Sequence, residues 1–301
     1  MTDDLLVSVI VPVRDHADGL RRTIDRLAEQ TLPRESFEVI VADDGSTDGL
    51  STQLEVDGEW LKLTRGPPAN SYAARNRAAE LARGRILAFT DSDCLPHPDW
   101  LVRGMEELRS ADLVGGHIEM LVSRPPSVWA ILDATLFDQQ RFVAMGKAAT
   151  ANLFMNRATF ERHGGFDASL PSGGDWEFIE RCIRGDARLT YAPSAVVEHP
   201  VRSTAREFLG RRWRIEQAFA MRCRQAGTSL VAFNASREAV VPRRWGFAVG
   251  YDSRRLADLG LANGWRTRLA TAPARYVIVP GVDALAQVAG WLRTRVSPTD
   301  R

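Results

Sequence analysis

The triplet Asp91-Ser92-Asp93 places two carboxylates directly behind the apolar run Arg85 to Thr90 and ahead of Cys94-Leu95-Pro96, where the chain is expected to turn. Hard divalent cations such as Mg²⁺ and Mn²⁺ take oxygen ligands and commonly share one or two protein carboxylates with substrate phosphates. Asp91 and Asp93 suit that chemistry. Taken alone, such a triplet is most often a solvated loop, because Asp is a common turn residue. A second acidic string, Asp43-Asp44-Gly45-Ser46-Thr47-Asp48, closes another apolar run. A carboxylate there can accept hydrogen bonds from a ribose hydroxyl or from the N–H of a uracil-like base. The same string is sound turn and helix-capping chemistry, so one aspartate can serve the turn and its neighbour the nucleoside.

Both acidic sites need elements that bring them to one place. Val7 to Val13 is a continuous apolar run rich in β-branched residues, as expected of a strand buried on both faces of a parallel sheet. Asp18 to Gln30 carries Leu20, Ile24 and Leu27 at helical spacing, and Phe37 to Ala42 returns to strand character, which makes a βαβ unit. The alternation continues through an alanine-rich helix at Ser71 to Arg83, the strand Arg85 to Thr90 and a strand at Asp112 to Met120. Arg141 to Asn156 runs into a buried strand, and Asp175 to Arg184 reads as a helix. The series predicts an α/β protein with a Rossmann-like, mostly parallel central sheet flanked by helices, its ligands gathered at the carboxyl ends of the strands.

The 301 residues suffice for one large α/β domain and a helical C-terminal extension, expected at 1–203 and 204–301. Apolar residues make up 45% and charged residues 26%, which excludes disordered, collagen-like and disulfide-scaffold classes. The 39 basic and 38 acidic residues nearly cancel, so no nucleic-acid-coating role is expected. Cys94, Cys182 and Cys223 form no CxxC pair and leave an odd thiol, which fits a reducing compartment. Acidic residues precede the first apolar run where a secretory leader would be cationic, so a cytoplasmic location is expected. Arg206, Arg211, Arg212, Arg214, Arg222 and Arg224 crowd a helix after Thr204, a zone that could face acidic ligands or lipid. Tyr276 to Leu292 contains Pro280 and Asp283 and reads as a docked helix or a peripheral membrane-surface contact rather than a span.

Five segments now form an ordered set: SVIVPVRD at Ser8 to Asp15, VIVADDGSTD at Val39 to Asp48, AARN at Ala73 to Asn76, FTDSD at Phe89 to Asp93 and GGDWE at Gly173 to Glu177. The set resembles the inverting family 2 glycosyltransferases of GT-A fold, over about residues 7 to 200. The resemblance implies a nucleoside-diphosphate-sugar donor, with UDP the commonest nucleotide, and a divalent cofactor, Mn²⁺ or Mg²⁺. It implies that Pro12, Val13 and Asp15 line the nucleotide pocket, that Asp43 or Asp44 holds the base, and that Arg75 contacts the pocket or the phosphates. Asp91 and Ser92 approach the donor, Asp93 the metal, and His199 supplies a further metal or diphosphate contact. Asp175 takes the position of the general base that deprotonates an acceptor hydroxyl, on a glycan, a lipid-linked sugar or a small molecule, and Glu177 supports it. Arg14 departs from the family pattern where an aromatic or small polar residue is usual, which puts the stacking partner of the base in doubt. Arg211-Arg212-Trp213 is only a fragment of the processive relatives' pattern, so single transfers are expected.

One other enzyme class and two non-enzyme readings compete. A sugar nucleotidyltransferase also pairs an acidic metal site with an α/β sheet, but VPVRDHADGL lacks its glycine-dense phosphate loop. A phospho-acceptor signalling module explains Asp43, Asp44 and Asp91 in half the length and leaves GGDWE unexplained. A degenerate transferase that only binds nucleotide would not need the intact acidic set.

Overall fold

The computed structural model describes residues 5–50, 54, 56, 58–225, 227 and 278–293. The chain divides into two compact units. The first comprises Met1–Leu121, Asp138–Leu170 and Gly174–Pro200; the second comprises Val122–Phe137, Pro171–Gly173 and Val201–Arg301.

In the first unit, strands β1 (Val7–Val13), β2 (Phe37–Asp43), β3 (Leu61–Arg65) and β4 (Ile86–Thr90) run parallel in the order β3-β2-β1-β4. Every residue of β1, β2 and β4 is buried, which is why these strands read as unbroken apolar runs rather than alternating ones. The sheet then continues through β7 (Asn152–Asn156), β6 (Leu113–Leu121), β8 (Leu189–Pro200) and β5 (Leu95–Pro96). Here the simple parallel expectation needs correction, because β7 is antiparallel to both β4 and β6. Residues 95–96 also do more than turn. They pair antiparallel with Val197 and Glu198 at the end of the sheet, where a proline lacking its N–H is tolerated.

The helix α1 (Ala17–Ala28) buries Leu20, Thr23 and Leu27 on one face, and the Thr23 hydroxyl donates to the Cys94 carbonyl at 2.8 Å. In α2 (Ser71–Glu80) the buried residues are Tyr72, Ala74, Arg75 and Ala78, and the two alanines let the helix lie close to the sheet. Its start is set by Asn70, whose side-chain oxygen accepts from the N–H groups of Tyr72 and Ala73 at 3.0 Å each. Behind it Phe89, Phe160, Phe166 and Phe178 pack ring to ring, with centroids 5.0–5.9 Å apart.

A bulge at Gly116/His117 shifts the register between β6 and β8. Asn152 pins it: its Nδ2 donates to the carbonyls of His117 and Ala195 at 2.8 Å each, and its Oδ1 accepts from Trp100 Nε1 at 2.9 Å. A Cβ at Gly116 would stand 2.4 Å from the Asn152 amide, so only glycine fits beside it.

At the amino-terminal edge of the sheet, the buried Glu38 carboxylate accepts from Ser8 Oγ at 2.6 Å, Lys62 Nζ at 2.5 Å, and Arg83 N and Nε at 2.7 and 3.2 Å. Burial alone would raise its pKa, but Lys62, Ser8 and Arg83 outweigh it and hold the carboxyl below its ordinary value. The stability drawn from this cluster is therefore complete above the ordinary carboxylate range and is lost as pH falls through Glu38's depressed value. Glu38→Ala strands the partners of a buried carboxylate, and urea unfolding is expected to show a loss of about 3 kcal/mol.

In the second unit, helices Ala205–Gln225 and Val279–Arg293 pack together. A Cβ at Gly290 would meet the Gln217 carbonyl oxygen at 2.6 Å, so the two backbones approach closely there. Arg212 bonds Asp283 at 2.5 Å and the buried Glu216 at 2.9 Å, and Gln287 donates to Glu216 at 2.7 Å. Arg211 donates to the buried Asp133 at 2.9 Å and lies over the Phe137 ring. Two of the arginines read as a ligand-facing zone are thus internal counter-ions. Among the described residues no helix is long and apolar enough to cross a membrane. Of the segment read as a docked helix, Tyr276 and Val277 lie outside the described residues, as do 228–277 of the C-terminal extension.

Candidate active site

Adjacency in the order β2-β1-β4 puts the carboxyl ends of three parallel strands side by side, and each carries acidic residues into the following loop. Pro12 and Val13 end β1, buried and paired with Ala42 and Asp43 of β2. The Val13 carbonyl accepts from Asp44 N at 2.9 Å, which fastens the two loops at their roots. Asp15 adds a second tie. Its Oδ1 accepts from the Thr47 N–H at 2.6 Å and hydroxyl at 3.0 Å, and its own N–H donates to Ser46 Oγ at 3.0 Å. These bonds from Thr47, the backbone one first, hold the Asp15 carboxyl below its ordinary value. Asp15 also sits at φ 50°, a conformation that Asp tolerates better than most side chains.

Asp43 and Asp44 are both buried, and each bonds to the backbone of the surrounding loops. Asp43 Oδ1 accepts from Ser46 N, three residues on, at 2.7 Å, while its Oδ2 has no hydrogen bond and lies 3.4 Å from Arg65 Nε. Asp44 Oδ1 accepts from Ala69 N at 2.9 Å, and its Oδ2 lies 3.7 Å from Arg14. Gly45 between the following residues has φ 80°, and a Cβ there would stand 2.7 Å from the Pro68 ring. The loop after β2 is therefore held against residues 66–70.

The second group forms at the end of β4. Asp91 and Asp93, both half-buried, flank Ser92 in the turn, and the Cys94 N–H donates back to the Asp91 carbonyl at 3.1 Å. Pairing of Leu95 with Glu198, continued one step, sets Cys94 opposite His199. One ligand atom from each of Asp91, Asp93, Cys94 and His199 lies within 4.8 Å of all the others. His199 is buried, and its Nδ1 stands 2.7 Å from the Pro200 carbonyl. Two carboxylates and an imidazole suit Mn²⁺ or Mg²⁺ as a donor set. Cys94 was read from the sequence only as a reduced thiol; its membership in this group comes from sheet pairing across more than a hundred residues. Burial, and then the charges of Asp91 and Asp93, hold its thiol well above the ordinary value.

Arg75, buried in the middle of α2, donates from Nη2 to Asp91 Oδ1 at 2.5 Å. Its neighbour Asn76 faces away and exchanges two hydrogen bonds with the Phe166 backbone, at 2.8 and 2.9 Å. Asp175 stands in the first turn of the helix Gly174–Arg184. Its Oδ1 accepts from its neighbour Trp176 N at 2.9 Å and from the Tyr72 hydroxyl at 3.3 Å. Burial raises the Asp175 pKa, against lowering by the Trp176 N–H and by the Arg75 charge. Tyr72 was missed as a site residue. Burial and the Asp175 charge push its pKa up, so its hydroxyl stays a donor. A Cβ at Gly174 would meet the Tyr72 ring at 2.9 Å, so the glycine lets the ring reach the carboxylate. Glu177 is occupied elsewhere: it chelates Arg181 at 2.8 and 2.9 Å, and Arg181 in turn binds the carbonyls of His163 and Gly165.

The arrangement thus sets an acidic group that could hold a cation near a carboxylate whose pKa burial raises. Comparison with known proteins shows the family. The family model Glycosyl transferase family 2 matches residues 8–142. Glycosyltransferase AglE of Haloferax volcanii is 34% identical over 224 residues, 71% of this chain and 73% of that protein. Pre-mycofactocin glycosyltransferase of Mycobacterium tuberculosis is 30% identical over 222 residues, 68% of this chain but only 45% of that protein. The fold is similar to that of mannosyltransferase PcManGT from Pyrobaculum calidifontis, solved with GDP-Man and Mn²⁺, at TM-score 0.61 and 22% identity over 95% of this chain and 86% of that one. The chain adopts the GT-A fold and belongs to glycosyltransferase family 2.

Proposed function

We propose that the chain transfers a sugar from a nucleoside-diphosphate donor, a UDP-sugar for preference, to an acceptor hydroxyl with inversion and in single transfers. The observation that carries this reading is the pairing of the Asp91, Asp93 and His199 group with Asp175, whose basicity burial raises. The acceptor is a glycan, a lipid-linked sugar or a small molecule, met in the cytoplasm or at the inner membrane face.

Pro12 and Val13 form the floor of the nucleotide pocket, and Asp15 locks its rim through Thr47. Asp43 offers the base or ribose its Oδ2, the oxygen that no hydrogen bond uses, and Asp44 keeps the loop in place through Ala69. Arg75 orients Asp91 toward the donor, with Ser92 beside it. Asp93 and His199 would hold Mn²⁺ or Mg²⁺, which when bound supplies positive charge for the departing diphosphate. Asp175 accepts the acceptor's hydroxyl proton as the oxygen bonds to the anomeric carbon. The bond from that carbon to the diphosphate oxygen breaks, and its electron pair leaves on the nucleoside diphosphate. Tyr72 positions Asp175 by its hydrogen bond and touches no reacting atom.

A GDP-sugar is the rival donor, since the similar Pyrobaculum structure carries GDP-Man. The stereochemical test uses proton NMR on the sugar released from α-linked UDP- and GDP-sugars with Mn²⁺. The β-anomer is expected to form first, from one donor. First formation of the α-anomer would contradict an inverting mechanism.

A further inference from the structure

We infer that Cys94 completes a closed four-ligand site with Asp91, Asp93 and His199 that captures thiophilic divalent cations, Zn²⁺ above all. The reaction described above uses only oxygen and imidazole donors and leaves this thiol without a task. Its place is nonetheless fixed: Cys94 N donates to the Asp91 carbonyl, and the Cys94 carbonyl accepts from Thr23 Oγ1 at 2.8 Å. Cys94 and His199 form the buried side of the group, and Asp91 and Asp93 its half-exposed side, through which an ion enters.

The distances fit a tetrahedral centre. Zinc bonds to oxygen, nitrogen and sulfur imply ligand-to-ligand edges of about 3.3–3.7 Å. Cys94 Sγ already lies 3.8 Å from Asp93 Oδ1, and no pair among the four exceeds 4.8 Å. Closing the shell needs side-chain shifts of about 1 Å. The donor types also choose between ions: Mg²⁺ and Mn²⁺ take the oxygens and pass over sulfur, whereas Zn²⁺ takes thiolate, imidazole and carboxylate together. Pro200 holds His199 Nδ1, the outer contact that commonly orients a metal-binding imidazole. Capture by the thiol releases one proton to solvent and forms one Zn–S bond, with no redox change. Two carboxylates and a thiolate then balance the divalent ion and the Arg75 guanidinium, so the captured site is neutral.

A shell filled by four protein ligands leaves no position for a diphosphate. Zinc is therefore expected to exclude Mn²⁺-dependent nucleotide binding, a consequence that rests on the proposed function; zinc capture itself does not. Co²⁺ titrated into the metal-stripped full chain tests capture directly. Expected are a thiolate-to-cobalt charge-transfer band in the near ultraviolet and the intense visible bands of four-coordinate cobalt, both absent in Cys94→Ala. Competition with a chromophoric chelator is expected to show Zn²⁺ affinity falling about 100-fold or more in that variant. Cadmium NMR on the unsubstituted protein reads sulfur ligation without relying on the variant's folding. No charge-transfer band and no sulfur-ligated cadmium signal would overturn the inference, as would equal zinc affinity in a folded Cys94→Ala. Nucleotide binding that fails in the zinc- and cobalt-free chain supplied with Mn²⁺, when the same protein shows the cobalt bands on titration with Co²⁺, would instead overturn the proposed function.

Discussion

Asp175→Asn is expected to bind donor as the parent does and to lose about 10²- to 10⁴-fold in turnover, the usual worth of a positioned general base. The amide is close in shape to the carboxylate and keeps an oxygen for the Trp176 N–H and the Tyr72 hydroxyl, so the first turn of its helix should hold. Only the capacity to take a proton is lost. Steady-state kinetics separate the two effects: kcat falls while donor affinity by calorimetry stays within about threefold. The pH profile adds a signature that a structural role would not produce. Burial raises the Asp175 pKa, so activity should disappear as pH falls through a value above the ordinary carboxylate range. That acid limb should vanish in the variant. Near-normal turnover in a folded Asp175→Asn would remove Asp175 from the role.

Asp93→Ala is the second large effect. It deletes one hard oxygen donor of the acidic group and leaves Asp91 tied to Arg75. Mn²⁺-dependent nucleotide affinity is expected to fall about 100-fold or more, comparable to removing one preorganised electrostatic contact. That corresponds to roughly 2.7 kcal/mol. Binding measured without metal should be the same in parent and variant. A variant that keeps its full Mn²⁺ response would place the cation elsewhere.

The parallel half of the sheet was readable because β1, β2 and β4 are buried on both faces and so become continuous apolar runs. The other half was not. β7 has the buried apolar centre Leu153-Phe154-Met155, and nothing in its composition states that it runs against its neighbours. β8 is twelve residues long, but Pro193 and the register shift opposite Gly116 break its pattern. The helix Val128–Leu136 escaped notice because residues 130–135 are buried all round, which erases helical periodicity.

The site divides in the same way. Asp91, Asp93 and Asp175 were legible as types in an ordered set. Tyr72 and Cys94 were not, because each acquires its meaning from a partner about a hundred residues away: Tyr72 from Asp175, Cys94 from His199. The arginines after Thr204 mark the opposite error. Their crowding looked like a surface for acidic ligands, yet Arg211 and Arg212 spend their charge on Asp133, Glu216 and Asp283 inside their own unit.

Calorimetric titration of UDP, GDP, dTDP and CDP into the purified chain, each with and without Mn²⁺, tests the central claim most directly. The account predicts that one nucleoside diphosphate, UDP first, binds tightly only with Mn²⁺, and that this response is lost in Asp93→Ala. Binding of none of the four, or binding indifferent to Mn²⁺, would contradict it.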